Sequence, residues 1–469
     1  MQRTQIIETQ NLVGQEVNLF GWVNVRRDQG KIIFIDLRDR SGVIQMVFVP
    51  SHKDLFSLAE KLRPEWVIRV KGLVKDRPEK MVNPDISTGR IEIEPSELEI
   101  LNEATSPVFP IDTDGYEINE EVRMKYRYQD LRRLRMTKNL IKRHEIIHLI
   151  RNWLSERGFL EIETPILTKS TPEGARDYVV PSRLYAGKFY ALPQSPQQYK
   201  QLLMAGGLEK YFQIARCFRD EDTRGDRQPE FTQLDMEMSF VKREDVMDIN
   251  EKLLIEIVEK LYPDKKIQEK PFPRLSYKDV MEKYKTDRPD LREDKNNSNL
   301  LAFCWVVDFP FFSAEGGPAS GGETKWTFTH NPFSAPVSEH KDDLLNEKNL
   351  EKIITTQYDV VLNGLEIGGG SIRAHESQIL KTVFRLIGVS NIESSFGHML
   401  HALDSGVPPH GGIAWGLDRL ISILQNEPNI REVIAFPKTG DVRDLMMESP
   451  SELEPKQLKE LHLKTVSDN

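Results

Sequence analysis

The chain has 469 residues, of which 39% are hydrophobic and 29% charged, and its net charge is −9; this composition excludes a fibrous or fully disordered protein, and the acidic balance argues against one that coats nucleic acid non-specifically. No run of about 18 apolar residues occurs and the first twenty residues lack the apolar core of a signal peptide, so we expect neither a transmembrane helix nor a membrane partner. The only cysteines, Cys217 and Cys304, cannot form a disulfide framework, which favours a cytoplasmic protein.

The first hundred residues contain short apolar runs separated by turn residues. The pattern predicts five strands with a helix over 53–62 between the third and the fourth, which is the element order of an OB-fold barrel. OB-folds often bind single-stranded nucleic acid through exposed aromatic and basic side chains. We therefore expect an OB-fold domain over residues 1–103, and its predicted strands are residues 17–23, 31–37, 43–49, 66–72 and 90–94.

A second, larger domain is expected after a linker. Residues 104–135 contain prolines and an Asp-Gly turn and are expected to form a linker or hinge. Residues 136–445 alternate helical patterns with short strands, which predicts an α+β domain. The polar residues 446–469 are expected to form a C-terminal tail.

The stretch 231–240 alternates polar and apolar side chains with a period of two. On a strand, this alternation places Gln233, Asp235 and Glu237 on one face and apolar side chains on the other. Three polar acceptors on one face suit the floor of a site for a cationic or amine-bearing ligand. The preceding strand ends at Arg219, and an antiparallel hairpin would bring this guanidinium near the same face, where it suits a phosphate or a carboxylate.

Two glycine-containing segments nearer the C-terminus complete the candidate site. Asn363-Gly364 is a hairpin signal, and Asp359 and Glu366 flank it, so that their carboxylates can converge and hold Mg²⁺ together with substrate phosphates. Further on, a strand enters a helix through glycine, and the first turn of that helix carries Arg419. The chain has neither a P-loop nor a GxGxxG fingerprint, so an ATP site here must be of another type.

Three segments, taken together, resemble the signature motifs of class II aminoacyl-tRNA synthetases in order and separation; they are GFLEIETP at 158–165, FRDE at 218–221 with RQPEFTQLD at 227–235, and GLDR at 416–419. Further segments resemble the bacterial-type aspartyl-tRNA synthetases; they are residues 22–28, TPEGARD at 171–177, QSPQ at 194–197 and GGGSIR at 368–373. The resemblance covers nearly the whole chain, residues 1–445.

The resemblance implies a fold and an activity. The fold is a six-stranded antiparallel sheet flanked by helices, preceded by an OB-fold that reads the anticodon. The activity is that of an aspartate–tRNA ligase, which activates L-aspartate with ATP and Mg²⁺ and transfers it to the 3′ end of tRNA-Asp. Whether tRNA-Asn is also charged stays open, because Gln29 matches neither the leucine nor the histidine expected of the two subtypes. A homodimer is implied as well, with Pro165 at its interface.

The family's functional positions, carried onto this sequence, form four groups. The implied catalytic residues are Arg219, at the α-phosphate and the amino-acid carboxylate, and Arg419, at the γ-phosphate. The implied ATP-binding residues are Arg219, Asp220, Glu221, Gln228, Glu366, Gly416, Leu417, Asp418 and Arg419. The implied aspartate-binding residues are Glu173, Gln197, Lys200, Arg219, Gln233, Asp235, His330 and Arg373. The implied anticodon contacts are Arg26, Arg27, Gln29, Phe34, Gln45 and Glu92, and the implied metal ligands are Asp359 and Glu366.

The chain departs from the family pattern in two places. The inserted domain that bacterial members usually carry between the second and third motifs is missing, and a short polar bridge over 293–299 stands in its place. The family's paired histidines appear here as His330-Asn331, so the histidine expected to meet the substrate is retained. The first departure puts in doubt the contacts that the insert makes with tRNA.

Two other functions are compatible with the same motifs. An asparaginyl-tRNA synthetase would share the motifs and the OB-fold, but Lys200 together with Arg373 argues against it, because two cations suit a side-chain carboxylate. A non-catalytic tRNA- or nucleotide-binding paralogue would be expected to lose Arg219, Arg419 or the acidic pair, and this sequence keeps them all.

Overall fold

The computed structural model describes residues 2–170, 174–223, 225–315 and 325–466. The chain divides into two compact units, residues 1–138 and residues 139–469. None of the helices within the described ranges is long and apolar enough to cross a membrane.

The first unit contains a five-stranded barrel. Its elements are β1 (Glu16–Asp28), β2 (Ile33–Asp39), β3 (Gly42–Phe48), α1 (Lys53–Lys61), β4 (Val67–Asp76) and β5 (Ile91–Asn102). The barrel is closed, with the strand order β1-β2-β3-β5-β4. Alternate side chains, such as Leu19, Ile35 and Met46, are fully buried in its interior, as a strand with one face on a core requires. The predicted OB-fold barrel, with its helix between the third and fourth strands, is confirmed.

The segment after the barrel is ordered around one buried carboxylate. Two short helices follow the barrel, α2 (Glu120–Lys125) and α3 (Arg127–Asp130). The Asp130 carboxylate accepts hydrogen bonds from Arg123, Arg127 and Arg133 at 2.7–3.0 Å. Burial acts to raise the pKa of Asp130, but the three guanidiniums outweigh it and hold the pKa below its ordinary value. The C-terminal part of the stretch predicted as a linker is therefore held by buried ion pairs among neighbouring residues.

The second unit is built on one large sheet with helices around it. The helix α4 (Leu134–Ser155) leads into it from the first unit. The strands that follow are β6 (Leu160–Glu161), β7 (Val179–Pro181), β8 (Phe189–Ala191), β9 (Lys210–Phe218), β10 (Glu230–Ser239), β11 (Lys266–Ile267), β12 (Arg274–Ser276), β13 (Leu300–Leu301), β14 (Phe303–Val307), β15 (Phe312–Glu315), β16 (Lys325–Phe328), β17 (Tyr358–Leu362), β18 (Leu365–Ile372) and β19 (His410–Gly416). The helices are α5 (Gln197–Ala205), α6 (Arg243–Leu261), α7 (Tyr277–Tyr284), α8 (Lys341–Leu345), α9 (Ser377–Leu386), α10 (Ile392–Asp404), α11 (Leu417–Leu424) and α12 (Pro455–Glu460).

The large sheet has eight strands in the order β12-β14-β17-β18-β19-β10-β9-β6. The six strands from β14 to β9 pair antiparallel throughout, which confirms the six-stranded antiparallel sheet implied by the resemblance. The two edge strands, β12 and β6, are added in parallel. They are only three and two residues long, which is too short for a periodic pattern in the sequence.

One face of the sheet packs on the main hydrophobic core, and the other carries polar side chains. Along β10, Leu234 and Met236 are buried in a cluster with apolar residues of α4 and α6. Asp235 and Glu237 alternate with them and therefore lie on the opposite face. The hairpin predicted at Asn363-Gly364 joins β17 to β18, with both turn residues at positive φ, as a tight two-residue turn requires.

The bridge over 293–299 is a loop of exposed residues that is held near its C-terminal end. The Lys265 ammonium donates to the Ser298 carbonyl at 3.0 Å and to Asn426 Oδ1 at 2.6 Å, and burial lowers the pKa of Lys265 to about 8. On either side of the bridge, β11 and β13 pair in parallel. The chain thus closes the position of the missing insert with a short loop.

Candidate active site

A cavity of about 550 Å³ opens on the polar face of the large sheet. Strands β10, β18 and β19, the first turn of α11 and the loop between β9 and β10 form its walls. β18 and β19 approach closely there: a Cβ on Gly368 would lie 2.8 Å from the Ala414 carbonyl oxygen, so this position requires glycine. The predicted ATP-binding residues that line the cavity are Arg219, Glu221, Gln228, Glu366, Gly416, Asp418 and Arg419.

The other two predicted ATP-binding residues lie outside the described cavity lining. Leu417 is fully buried in the hydrophobic core. Asp220 pairs instead with Arg176, whose Nε lies 3.4 Å from Asp220 Oδ2. Both remain predictions as nucleotide contacts.

Arg219 follows the last residue of β9, and its guanidinium is held at the cavity wall. Its Nε donates to the Gln194 carbonyl at 3.3 Å, and its Cζ lies 5.1 Å from the centre of the Phe231 ring. A guanidinium over an aromatic face is attracted by the ring quadrupole, which restrains its plane. Phe231 also lines the cavity and offers a flat apolar surface that the sequence analysis did not select.

Two of the predicted nucleotide-binding side chains are paired with the loop between β9 and β10. Arg419 Nη2 lies 3.1 Å from Asp226 Oδ2, and Arg419 also donates to the Glu366 carbonyl. Arg227 lies 3.6 Å from the carboxylate of Glu221. A phosphate group at Arg419 would therefore compete with Asp226 for the guanidinium, and no motif in the sequence points to Asp226.

Gln228 and Asp418 are fixed by hydrogen bonds from neighbouring segments. The Gln228 amide donates to the Lys438 carbonyl at 3.1 Å and accepts from the Lys438 amide at 2.7 Å. Asp418 accepts from Arg143 Nη1 at 2.5 Å and from the Thr232 amide at 2.9 Å. Asp418 thereby ties the start of α11 to α4 and to β10.

The two predicted metal ligands form an acidic pair. Asp359, on β17, is buried and accepts from Gln357 Nε2 at 2.8 Å. Burial raises its pKa well above the ordinary value, and the carboxylates of Glu366 and Asp287 raise it further. No group of three or more histidine, cysteine and acidic side chains that could hold a metal occurs within the described ranges. Two carboxylates that disfavour each other's charge fit a hard dication that also binds substrate phosphates.

Beyond Gln233, the polar face of β10 carries a buried cluster of four charged side chains. Lys200 Nζ, on α5, lies 2.6 Å from Asp235 Oδ1 and 3.4 Å from Glu237 Oε2. Arg373, just after β18, donates from Nε and Nη2 to the two carboxylate oxygens of Glu237 at 2.9 and 3.0 Å. All four side chains are at most 2% exposed. Two cations and two anions are thus buried together, as the cost of burying single charges demands.

The two carboxylates of this cluster differ in their electrostatics. Burial raises the pKa of Asp235 despite the neighbouring Lys200 ammonium. Burial also acts on Glu237, but Arg373 and Lys200 outweigh it and lower the pKa of Glu237. Asp235 Oδ2 is buried and has no hydrogen-bond partner among the described residues, so it is an acceptor suited to an incoming ammonium group.

Of the remaining predicted aspartate-binding residues, His330 and Gln233 line the cavity and Gln197 is buried on α5. His330 lines the cavity against the ring of Phe309, and burial lowers its pKa. Gln233 also lines the cavity, and its Oε1 accepts from Cys217 Sγ at 3.2 Å. Gln197 Nε2 donates to Gln201 Oε1 at 3.0 Å. Glu173 lies outside the described residues.

Four of the predicted anticodon contacts, Arg27, Phe34, Gln45 and Glu92, lie together on the surface of the barrel. Arg27 donates to both oxygens of Asp36 at 2.8 Å and to Gln45 Oε1 at 3.3 Å, and Gln45 Nε2 donates to Glu92 Oε2 at 3.1 Å. Phe34 is half-buried, whereas its neighbours along β2 fill the barrel core. A polar network beside an aromatic ring is an arrangement that can stack and hydrogen-bond bases.

Arg26 and Gln29 lie apart from this network. Arg26 is registered with the buried Ile35 and donates from Nε to the Ala59 carbonyl at 3.3 Å. Arg26 Nη2 donates to Asp28 Oδ2 at 2.9 Å, and Gln29 is exposed in the turn between β1 and β2, where its amide donates to the Ile32 carbonyl at 3.0 Å.

Two family models match the chain. One, described as tRNA synthetases class II (D, K and N), matches residues 119–440. The other, described as an OB-fold nucleic acid binding domain, matches residues 17–101.

Proteins of known name match over nearly the full length. The chain is 41% identical to the aspartate–tRNA(Asp/Asn) ligase of Rubrobacter xylanophilus over 576 aligned residues, which cover 96% of this chain and 94% of the relative. It is 39% identical to the aspartate–tRNA ligase of Macrococcus caseolyticus, with 98% of each chain covered. The first alignment is longer than the whole 469-residue chain, so that relative carries segments that are missing here.

Solved structures share the fold at lower sequence identity. The asparaginyl-tRNA synthetase from Pyrococcus horikoshii complexed with asparaginyl-adenylate superposes with a TM-score of 0.74 at 22% identity, over 97% of this chain and all of that one. The aspartyl-tRNA synthetase from Entamoeba histolytica gives a TM-score of 0.72 at 22% identity, over 93% of this chain and 91% of that one.

Proposed function

The chain belongs to the class II tRNA synthetases of the D, K and N group, and on that premise we propose that it is an aspartate–tRNA ligase that uses ATP. The observation that carries the choice of amino acid is the buried cation pair, Lys200 and Arg373, beside the polar face of β10. These cations pair with Asp235 and Glu237 in the protein. A substrate carboxylate can add charge-assisted hydrogen bonds to them, which an apolar side chain cannot supply.

The reaction has two steps. An α-carboxylate oxygen of L-aspartate attacks the α-phosphorus of ATP, the bond from that phosphorus to the bridging oxygen breaks, and pyrophosphate leaves. A hydroxyl of the 3′-terminal adenosine of the tRNA then attacks the carbonyl carbon of the aspartyl-adenylate, and AMP leaves. Neither step needs a protein nucleophile, because positioning and charge neutralisation supply most of the rate.

The cavity residues have distinct roles in this scheme. Arg219 holds the α-phosphate and the aspartate α-carboxylate, and Phe231 supports its guanidinium plane. Arg419, once released from Asp226, holds the γ-phosphate. Glu221 and Gln228 contact the adenosine side of the nucleotide. The two arginines offset the negative charge that builds on the phosphates as the α-phosphorus is attacked.

We propose that Asp359 and Glu366 hold Mg²⁺ delivered with the nucleotide. Burial of Asp359 beside Glu366 makes a second negative charge unfavourable without a cation, which supports this assignment. The metal would supply Lewis-acid neutralisation of the phosphate oxygens.

The amino-acid site is proposed to lie beyond the nucleotide along β10. Lys200 and Arg373 would bind the side-chain carboxylate, with His330 as a further donor. Asp235, through its unpartnered oxygen, would bind the substrate ammonium. Glu173 and Gln197 complete the proposed set, and Gln233 lies between the amino-acid and nucleotide positions.

The barrel surface that carries Arg27, Phe34, Gln45 and Glu92 is proposed to bind the anticodon of tRNA-Asp. The Rubrobacter relative is named for both tRNA-Asp and tRNA-Asn, so we extend the proposal to tRNA-Asn. Charging purified tRNA-Asp and tRNA-Asn with radioactive aspartate tests this extension, and failure to charge tRNA-Asn would limit the enzyme to tRNA-Asp.

A cytoplasmic homodimer is proposed as the working form. Pro165 is followed by Ile166 and Leu167, which are 40% and 54% exposed, and a patch of exposed apolar side chains favours a partner surface. Both cysteines are free and buried, which suits a reducing compartment. The proposed domain limits are 1–103, 104–135, 136–445 and 446–469. Sedimentation equilibrium tests the dimer.

Pyrophosphate exchange with ATP tests the amino-acid specificity. Exchange is expected with aspartate and at least about a hundredfold weaker with asparagine, since the side-chain amide cannot make the charge-assisted hydrogen bonds that a carboxylate makes with Lys200 and Arg373. Lys200→Met is expected to raise the KM for aspartate far more than the KM for ATP. Lys341→Met, which removes an exposed partner of Glu376, is the matched control. Stronger exchange with asparagine than with aspartate would contradict the proposal.

A further inference from the structure

A chain of three consecutive hydrogen bonds runs from the Pro408 carbonyl through His410, at the start of β19, and Gln201 to the proposed substrate contact Gln197 on α5. His410 Nδ1 lies 2.8 Å from the Pro408 carbonyl oxygen, and His410 Nε2 lies 3.2 Å from Gln201 Nε2. Gln201 Oε1 accepts from Gln197 Nε2 at 3.0 Å. The chain thus begins at a backbone carbonyl and ends at the amino-acid site.

The hydrogen-bonding capacity of each group assigns a direction to this chain. The Pro408 carbonyl can only accept, so the proton of the neutral imidazole resides on Nδ1 and Nε2 is an acceptor. The Gln201 side chain must then donate an amide N–H to His410 Nε2. Its amide oxygen is therefore the atom that accepts from Gln197. Gln197 donates an amide N–H to Gln201, so the carbonyl oxygen of the Gln197 side chain points away from Gln201.

Burial makes this direction hard to reverse. Gln197, Gln201 and His410 are 5%, 2% and 0% exposed, so a flipped amide would face donor to donor or acceptor to acceptor with little access to water. Burial also lowers the pKa of His410, and although Glu237 opposes this shift, Arg373 and His375 add to it. The imidazole is therefore neutral at pH 7.

We infer that His410 and Gln201 are positioning residues, which orient the Gln197 amide so that its carbonyl oxygen is presented to the amino group of the amino-acid substrate. This inference rests on the proposed function for the identity of the substrate. The orientation of the Gln197 amide is set by hydrogen bonds within the protein and does not depend on the substrate. An ammonium group can only donate, so a Gln197 amide in the opposite orientation would lose this contact.

The tautomer of His410 is measured directly in the full-length protein. Long-range proton–nitrogen NMR of protein labelled with ¹⁵N-histidine distinguishes a protonated Nδ1 from a protonated Nε2, and the His410 signals are those lost in His410→Gln. We expect the Nδ1–H form at pH 7–8. In Gln201→Glu, whose carboxylate can only accept, we expect His410 to carry a proton on Nε2. An Nε2–H form in the wild type would overturn the inference.

Kinetics test the consequence for the substrate. Gln201→Met is expected to raise the KM for aspartate about tenfold, the effect of one lost hydrogen bond, with the KM for ATP within about twofold. His410→Gln keeps an acceptor for Gln201 and is expected to stay within about threefold of wild type. The matched control is His398→Leu, because His398 makes a similar bond at 2.6 Å to Gln198, another glutamine of α5 that is not part of the three hydrogen bonds described above.

The outcomes separate the inference from the proposed function. If Gln201→Met and His398→Leu raise the aspartate KM equally, the effect is a general loosening of α5 and the inference is overturned. If the wild type shows no aspartate-dependent exchange, the proposed function fails, and the tautomer measured in the same sample still supports or overturns the hydrogen-bond direction. Thermal melting of each variant identifies any loss of fold.

Discussion

Arg373 donates two parallel hydrogen bonds to Glu237, from Nε to Oε1 at 2.9 Å and from Nη2 to Oε2 at 3.0 Å. Both side chains are buried. Burial acts to lower the pKa of Arg373, but the Glu237 carboxylate outweighs it and raises this pKa above its ordinary value. A paired fork of this kind fixes the plane of the guanidinium. Glu237 therefore aligns the cation that is proposed to meet the substrate's side-chain carboxylate.

Glu237→Gln is expected to destabilise the fold by about 3 kcal/mol, because it leaves the buried Arg373 without its counter-charge. The KM for aspartate should also rise, since the guanidinium loses its alignment. Urea unfolding and pyrophosphate exchange measure the two effects. Glu376→Gln, which breaks an exposed pair with Lys341, should cost less than about 1 kcal/mol. Equal effects of the two variants would contradict the proposed role of Glu237.

Asp359→Asn is expected to stabilise the metal-free protein at pH 7 while it abolishes exchange. The pKa of Asp359 is raised in the folded state, so the folded chain binds this proton more tightly than the unfolded chain. Native stability therefore falls as the pH rises from the ordinary carboxyl value through the folded pKa. The gain from Asn should be largest near pH 7 and shrink toward pH 4.

Thermal melts at both pH values in chelator test this prediction, with the exposed Asp342→Asn as control. MgATP should raise the melting temperature of the wild type, because a ligand that binds the folded state stabilises it. The increase should be much smaller for Asp359→Asn, which lacks a proposed metal ligand. A less stable Asp359→Asn at pH 7 would refute the electrostatic argument.

Arg219→Lys is expected to lower the exchange rate about a hundredfold although it keeps the charge. The lysine loses the planar fork that contacts phosphate and carboxylate together, and it loses the stacking on Phe231. Single-turnover adenylate formation measures the effect, and circular dichroism checks the fold. Arg385→Lys, at an exposed pair with Glu347, should leave the rate unchanged. Near-normal exchange by Arg219→Lys would show that Arg219 does not contact the reacting phosphate.

Asp226→Asn is expected to lower the KM for ATP about two- to fivefold, because Arg419 no longer has to leave a partner 3.1 Å away. Added salt should produce part of the same gain in the wild type, since this pair is partly exposed. The comparison is Asp222→Asn, which removes one charge from the same loop. Equal shifts in the two variants would assign the effect to net charge and not to the Arg419 pair.

A Gly/Ser segment inserted between Asp294 and Lys295, in the exposed part of the bridge, is expected to leave exchange within about twofold of wild type, because a longer surface loop costs little closure entropy. The contacts of Lys265 with Ser298 and Asn426 stay intact in this variant. Lys265→Met provides the contrast and should lower the melting temperature. A large loss of exchange on insertion alone would show that the bridge supports the site.

The local sequence pattern determined the barrel and the polar face of β10. Period-two alternation over strands of seven to thirteen residues and the alternation of Leu234 with Asp235 are properties of neighbouring residues, so they are visible in a single chain. The Asn363-Gly364 turn is local for the same reason. The resemblance to the family motifs identified the arginines and carboxylates of the site, each from its place in a motif.

The tertiary structure alone decided which of these side chains meet. Glu237 and Arg373 are 136 positions apart, and Gln201 and His410 are 209 apart. The first pair forms across β19, which lies between β10 and β18, and the second joins α5 to the start of β19. The pairing of Asp226 with Arg419 likewise depends on how a loop folds over a helix start. Hydrophobic periodicity records which face of an element is buried, but it carries no information on strand order, and strand order sets the neighbours of every buried charge.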